Sequence, residues 1–285
     1  MEPKEEFQGS IYRFMHFDDL GGLVSIVQEQ ALTLVHHTKW EDPYEGYIYQ
    51  AITKPENHEE IRKIIKELNP DTSFAFSMLH DFSSTLFGQS WTKKGEKLWN
   101  LYPPNNQGRC VRVQINTENL RKIKADAEWE RIRAFEIDYV EEPNLKEELS
   151  RCIKGNTISF GHTLLRKRKS EFEHEQEVRL AVMDLDYSLI NRRNIAGMIN
   201  YIQQLQRLIA QGIMPAHAYE ENTKDKIRIL GKLRTPDIRK VNFAGVDGFI
   251  ESVMVHPLAN AEYVETVQDF CADNGINFLG KATLV

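Results

Sequence analysis

The chain has only three cysteines, Cys110, Cys152 and Cys271, and no Cys-x-x-Cys pair. That spacing excludes a disulfide framework and a zinc ribbon. There is no His-Glu-x-x-His. The adjacent His36 and His37 would point to opposite faces of a strand, so no metal site is expected. Phosphate loops are missing as well: neither Gly-x-x-x-x-Gly-Lys-Ser/Thr nor Gly-x-Gly-x-x-Gly occurs. The Gly-x-Ser-x-Gly turn of esterases is also absent. No apolar run approaches the roughly 20 residues needed to span a bilayer, so no membrane partner is expected. Met1 leads into Glu-Pro-Lys-Glu-Glu, the wrong start for a secretory signal. A cytoplasmic protein is the expectation.

What is present is ordinary globular composition. Of 285 residues, 41% are hydrophobic, enough to bury the core of one large domain or two small ones. A net charge of −6 argues against a general nucleic-acid binder, while leaving room for a local basic patch. No internal repeat or low-complexity linker divides the chain. Residues 1–9 read as a polar tail and 10–285 as a single α+β domain, its sheet mixed and mainly antiparallel.

Periodicity supplies the elements. Strands are expected at 11–15, 31–35, 73–78, 110–115, 132–140, 226–233, 251–255 and 276–279. Helices are expected after Asp18 as cap, at 58–68, at 144–153, at 157–168 and at 260–273, with Gly275 ending the last. Asp42-Pro43 opens a turn, 79–98 reads as loop, and 99–102 as a short helix before Pro103-Pro104. A long 3.6-residue pattern after 187 reads as a helical insertion at about 187–220.

The densest chemistry is the run Glu171-Phe172-Glu173-His174-Glu175-Gln176-Glu177-Val178-Arg179. If extended, it sets Glu171, Glu173, Glu175, Glu177 and Arg179 on one face, where like charges repel unless something uses them. The alternative is the solvated end of a helix, with Arg166, Lys167, Arg168 and Lys169 offsetting the acids. Three more clusters stand out. Tyr12-Arg13 lies on the first strand, where an arginine among apolar neighbours needs a carboxylate or phosphate partner. Trp40-Glu41-Asp42-Pro43-Tyr44-Glu45 is an aromatic and acidic turn. Phe76-Ser77 sits at a strand end, followed by Leu98-Trp99-Asn100-Leu101-Tyr102, whose rings serve either the core or a flat ligand.

Taken in order, these clusters resemble the bacterial family catalogued as domain of unknown function 2971. They are Tyr12-Arg13-Phe14, the turn at 41–45, Phe76-Ser77, Leu98 to Tyr102 with Gly108 before a strand, and Glu175-x-Glu177-x-Arg179. The resemblance spans about 10–257 and departs at 79–97 and after 187. More loosely, an arginine on strand one, a serine at a strand end and a late Glu-x-Glu are similar to Arg–Ser–Glu ADP-ribosyltransferases. That similarity implies NAD as substrate. Arg13 would hold its phosphates and Ser77 brace the nicotinamide. Glu177 would stabilise the ribosyl cation and Glu175 serve the acceptor, with Tyr102 and Trp99 beside the ring. The implied protein is an intracellular toxin or anti-phage effector that modifies a protein or nucleic acid and is restrained by an inhibitory partner. An NAD glycohydrolase and a non-enzymatic binding module are the rival readings.

Overall fold

The computed structural model describes residues 6–18, 21–40, 47–68, 86–95, 108–125, 131–154, 167–183 and 237–283, together with 42, 44, 76, 79, 98–99, 157–158 and 211–212. The strands are β1 (Ser10–His16), β2 (Ala31–His36), β3 (Leu86–Thr92), β4 (Cys110–Asn116), β5 (Arg133–Glu136), β6 (Asp138–Val140), β7 (Ile153–Lys154), β8 (Thr157–Ile158), β9 (Lys167–Lys169), β10 (Glu177–Met183), β11 (Ile238–Asn242), β12 (Ile250–Val255) and β13 (Asn277–Lys281). Nine of them form one sheet in the order β11-β2-β3-β1-β4-β12-β13, with β10 paired to β3 and β5 paired to β10. Among the described residues, only β12 and β13 run parallel in it. The fold is α+β with a mixed, mostly antiparallel sheet.

The sheet forks at β3. One edge of β3 pairs with β10 from Leu86↔Met183 to Thr92↔Glu177. Its other edge is shared. β2 meets it at Phe87 and Gly88, whereas β1 meets it at Thr92, opposite Tyr12. Between these anchors the Gln89 side chain reaches across to the Thr33 carbonyl (3.0 Å).

Strand alternation gives the two faces different covers. One face carries Ile11, Met15, Val111, Val113, Ile115, Trp91, Val178 and Leu180 in the largest apolar cluster, with Leu23, Ile26, Val267 and Cys271 from the helices Leu23–Glu29 and Ala261–Asp273. The other face has two separate covers. Leu86, Phe135 and Ala181 lie under Ile48, Ile52, Ile61, Ile65 and Leu149 of the helices Tyr47–Thr53, His58–Leu68 and Leu145–Cys152. Phe14 and Cys110 lie under Leu98, Trp99 and Ala282.

Local chemistry sets the ends of these elements. In His58–Leu68, Ile61, Ile64 and Ile65 share one stripe, with Glu59 and Glu60 in the first turn and Lys66 in the last, as the helix dipole favours. Asn260 caps the final helix by accepting the Tyr263 N–H (2.8 Å). Beyond it Gly275 takes a positive φ of 65°.

Several expectations are corrected. The first helix begins at Leu23 behind Gly22, not behind Asp18. The stretch expected to be loop holds β3, the strand at the fork. Phe76, expected on a strand, is helical. The expected helix at 157–168 gives way to β8 and the start of β9. β11 lies outside every expected strand. The expected strand at 226–233 lies outside the described residues, as does the helical insertion at 187–220 apart from 211–212. Residues 6–9 are no loose tail. Phe7 donates its N–H to the Ala134 carbonyl (2.9 Å) and packs on the main core, and Glu6 pairs with Arg133 (3.5 Å).

Candidate functional site

The Glu-rich run does not extend as one strand. Ser170–Glu175 is a 3-10 turn in which Glu171 and Glu173 are exposed and Glu175 is half-buried. The turn relieves the repulsion a five-charge strand face would carry. Gln176 takes a positive φ of 44°, and β10 starts at Glu177. The Glu175 carbonyl accepts from the Thr92 hydroxyl (2.6 Å), which ties the turn to β3.

Glu177 and Arg179, two apart on β10, share one sheet face. The Arg179 guanidinium donates to the Glu177 carboxylate, and both side chains are 1% exposed. The Glu177 backbone N–H donates to the Tyr139 hydroxyl (2.7 Å). The Arg179 guanidinium lies 4.5 Å from the centroid of the Trp40 ring. Two motifs distant in sequence, the Trp40 turn and the 175–179 segment, therefore meet. Asp42 shapes that turn by accepting the Tyr44 N–H (2.8 Å). His37 carries the contact onward, with ring centroids 6.1 Å from Trp40 and 5.4 Å from Tyr49.

Gly88 makes this stack fit. A Cβ there would stand 2.7 Å from the Trp40 ring and 3.1 Å from the Leu180 carbonyl oxygen. Gly88→Ala is expected to push the indole off β3 at a cost of about 1–3 kcal/mol. Chemical unfolding and near-ultraviolet circular dichroism check it. Unchanged stability with an unchanged aromatic signal would mean that the indole does not need the vacancy.

On the same face, across the fork, stands a second pair. Tyr12 is opposite Thr92, which is opposite Glu177, so one cross-strand row joins β1, β3 and β10. The Arg112 guanidinium lies 5.0 Å from the centroid of the Tyr12 ring, with one of its nitrogens on the Gly95 carbonyl. Ser90 lies between these groups. It is opposite Arg179, sits on an interior strand, and is nevertheless exposed. Among the described residues, the strip between the two apolar covers of this face is thus polar: Tyr12, Arg112, Thr92, Ser90, Glu177 and Arg179.

The expected site residues divide. Glu177 lies in this strip, and Glu175 is at its end in the preceding turn. Arg13 is not in it. It shares strand parity with Ile11 and Met15 and stands opposite Val113, so it faces the main core side, on the other face from Glu177. Trp99 is a core residue. It is 5% exposed and packs edge-on against Phe14 (4.7 Å) and His256 (5.3 Å). Ser77 and Tyr102 lie outside the described residues. Sequence reasoning missed Ser90 and Arg112. The alternation Phe87, Gln89, Trp91 in the assumed loop was the available signal for the first. For the second, the alternation of Val111, Val113 and Ile115 in β4 was the signal, since it turns Arg112 to the opposite face. Among the described residues, no group of His, Cys, Asp and Glu is arranged to hold a metal, and no helix is long and apolar enough to cross a membrane.

No curated protein and no solved structure matches the chain. A family model does, over residues 98–180. That is less than a third of the chain and narrower than the expected 10–257, but it takes in Trp99, Gly108, Arg112, Glu175, Glu177 and Arg179. Over that stretch the chain is similar to the family described as "Protein of unknown function (DUF2971)".

Proposed function

We propose that the protein is an NAD-dependent ADP-ribosyltransferase, an intracellular toxin or anti-phage effector that modifies a protein or nucleic acid and is held in check by an inhibitory partner. One observation carries the reading: the buried Glu177–Arg179 pair in a polar strip whose Ser90 is exposed. A buried ion pair contributes little net stability, because desolvation offsets the attraction. This one also requires a glycine at position 88 and an indole laid over β3. An arrangement that stability does not explain points to use by a ligand.

In this reading Arg112 takes the phosphate-holding place expected of Arg13, because it is on the Glu177 face. Tyr12 offers a ring for stacking, and Ser90 offers an exposed hydroxyl on the floor. Cleaving the nicotinamide–ribose bond builds positive charge on the sugar. Glu177 would stabilise that charge in a water-poor site, and Glu175 would face the acceptor. β9, with its run Lys167-Arg168-Lys169, runs beside β6, whose Tyr139 holds the Glu177 amide.

A specific observation favours a second reading. The Glu177 carboxylate is already neutralised by Arg179, which suits a structural pair in a non-enzymatic binding module. Incubation with labelled NAD and cell lysate separates the readings. Label on a macromolecule supports the transferase, free ADP-ribose alone makes it a glycohydrolase, and intact NAD leaves the binding module.

A further inference from the structure

We propose that a cavity on the outer side of the helix Tyr47–Thr53 binds a small organic ammonium ion. The helix is two-sided. Ile48, Tyr49 and Ile52 are fully buried toward the core. Tyr47, Gln50 and Ala51 lie on another stripe, at i, i+3 and i+4, with Lys54 just past the helix end. That stripe lines an open cavity of about 300 Å³, bordered as well by Tyr44, Asn57, Glu60 and Leu145. The volume is at the lower end of ligand pockets, roughly 300–1,000 Å³, which suits a small guest.

Charge and ring chemistry select the guest. Tyr44 and Tyr47 are both in the lining, and a phenol ring attracts a cation to its electron-rich face. Glu60 lines the cavity. Burial, then Glu60, Glu142 and Glu148, raise the Tyr47 phenol above its ordinary value, so the ring stays neutral and its surroundings are negative. Among the described lining residues Lys54 balances Glu60, and Glu142 and Glu148, which also act on Tyr47, tip the surroundings against an anionic guest. The Asn57 amide already donates to the Ala51 carbonyl (3.1 Å) and serves as wall. The site is separate from the polar strip of β3 and β10. The same helix nevertheless carries Tyr49, which contacts His37 and through it Trp40.

Isothermal titration calorimetry of the full chain with tetramethylammonium and with 1,4-diaminobutane tests this, with inorganic phosphate as the contrasting probe. Saturable one-to-one binding of an amine is expected, weakened about tenfold by Tyr47→Ala and by Glu60→Gln. Tyr47→Phe should keep the affinity, because the ring face and not the hydroxyl holds the cation. Glu60 is exposed, so Glu60→Gln keeps the fold and the test stands even if Tyr47→Ala does not fold. No saturable amine binding, amine binding indifferent to Glu60→Gln, or tighter binding of phosphate would each overturn the proposal. None of these outcomes depends on NAD chemistry, so the fate of the transferase reading is decided separately.

Discussion

Glu177→Ala is expected to destabilise the protein by about 3–5 kcal/mol, the usual loss when one partner of a buried ion pair is removed. Domains of this kind are held by only about 5–15 kcal/mol, so a large share of the stability is at stake. The cause is local. Arg179 is 1% exposed, always charged, and flanked by Trp40 on one side and Glu177 on the other. Without the carboxylate it is a buried charge that has lost its ion-pair partner on β10. Arg179→Met should cost a similar amount by removing the ion pair with buried Glu177 and the contact with Trp40. The double variant Glu177→Ala/Arg179→Met removes both charges, so it should recover part of the loss. Urea unfolding of the four proteins gives the coupling energy. Single variants within about 0.5 kcal/mol of wild type would show that the pair is not buried in solution.

Most of the core was legible because it obeys simple periods. The strands at Ile11, Ala31, Cys110 and Ile250 and the helix His58–Leu68 show their alternation or their 3–4 spacing directly. What failed is instructive. β3 pairs with three strands, so its Gly88, Gln89, Ser90 and Thr92 answer to neighbours rather than to a solvent-facing alternation. Gly88 in particular reads as a turn residue, and its cause is an indole 40-odd positions away. The Glu-rich run failed for a different reason. Period two put five charges on one face, and a 3-10 turn offered a cheaper conformation by pointing Glu171 and Glu173 to water. Arg13 shows the limit of motif order. The order of motifs does not say which face a residue takes, and a shift of one position moves a side chain through the sheet. Its neighbour Tyr12 faces Glu177, and Arg112 supplies the guanidinium there.

Arg13 and Glu177, which the resemblance assigns to one site, stand on opposite faces of the sheet, while other residues of the same motifs do meet. The first-strand motif meets the 98–102 motif through Phe14 and Trp99. The Trp40 turn meets the 175–179 segment through Arg179. The polar strip lies between these two meetings, where β1 and β2 part from each other along β3.

Glu177→Gln isolates chemistry from folding, since glutamine keeps the size and an oxygen acceptor for Arg179 while removing the charge. If the strip carries transferase chemistry, NAD cleavage should fall on the order of a hundred- to a thousand-fold, the usual loss for one preorganised electrostatic contact. The folded fraction, followed by circular dichroism at the assay temperature, must be shown to stay near unity so that the rate reports the site. Glu175→Gln should differ. Its backbone is fixed by Thr92 at the head of β10 and its side chain is half-buried, within reach of an acceptor beside the strip. It should impair transfer to a macromolecule more than hydrolysis of NAD. Arg13→Gln, acting from the opposite face, should leave NAD affinity within a few-fold of wild type, whereas Arg112→Gln should weaken it by at least tenfold. A pattern in which Arg13 matters and Arg112 does not would move the phosphate site to the other face of the sheet. Full NAD turnover in both glutamate variants, or none in the wild type with any acceptor, would end the enzymatic reading and leave the Glu177–Arg179 pair as part of a binding module.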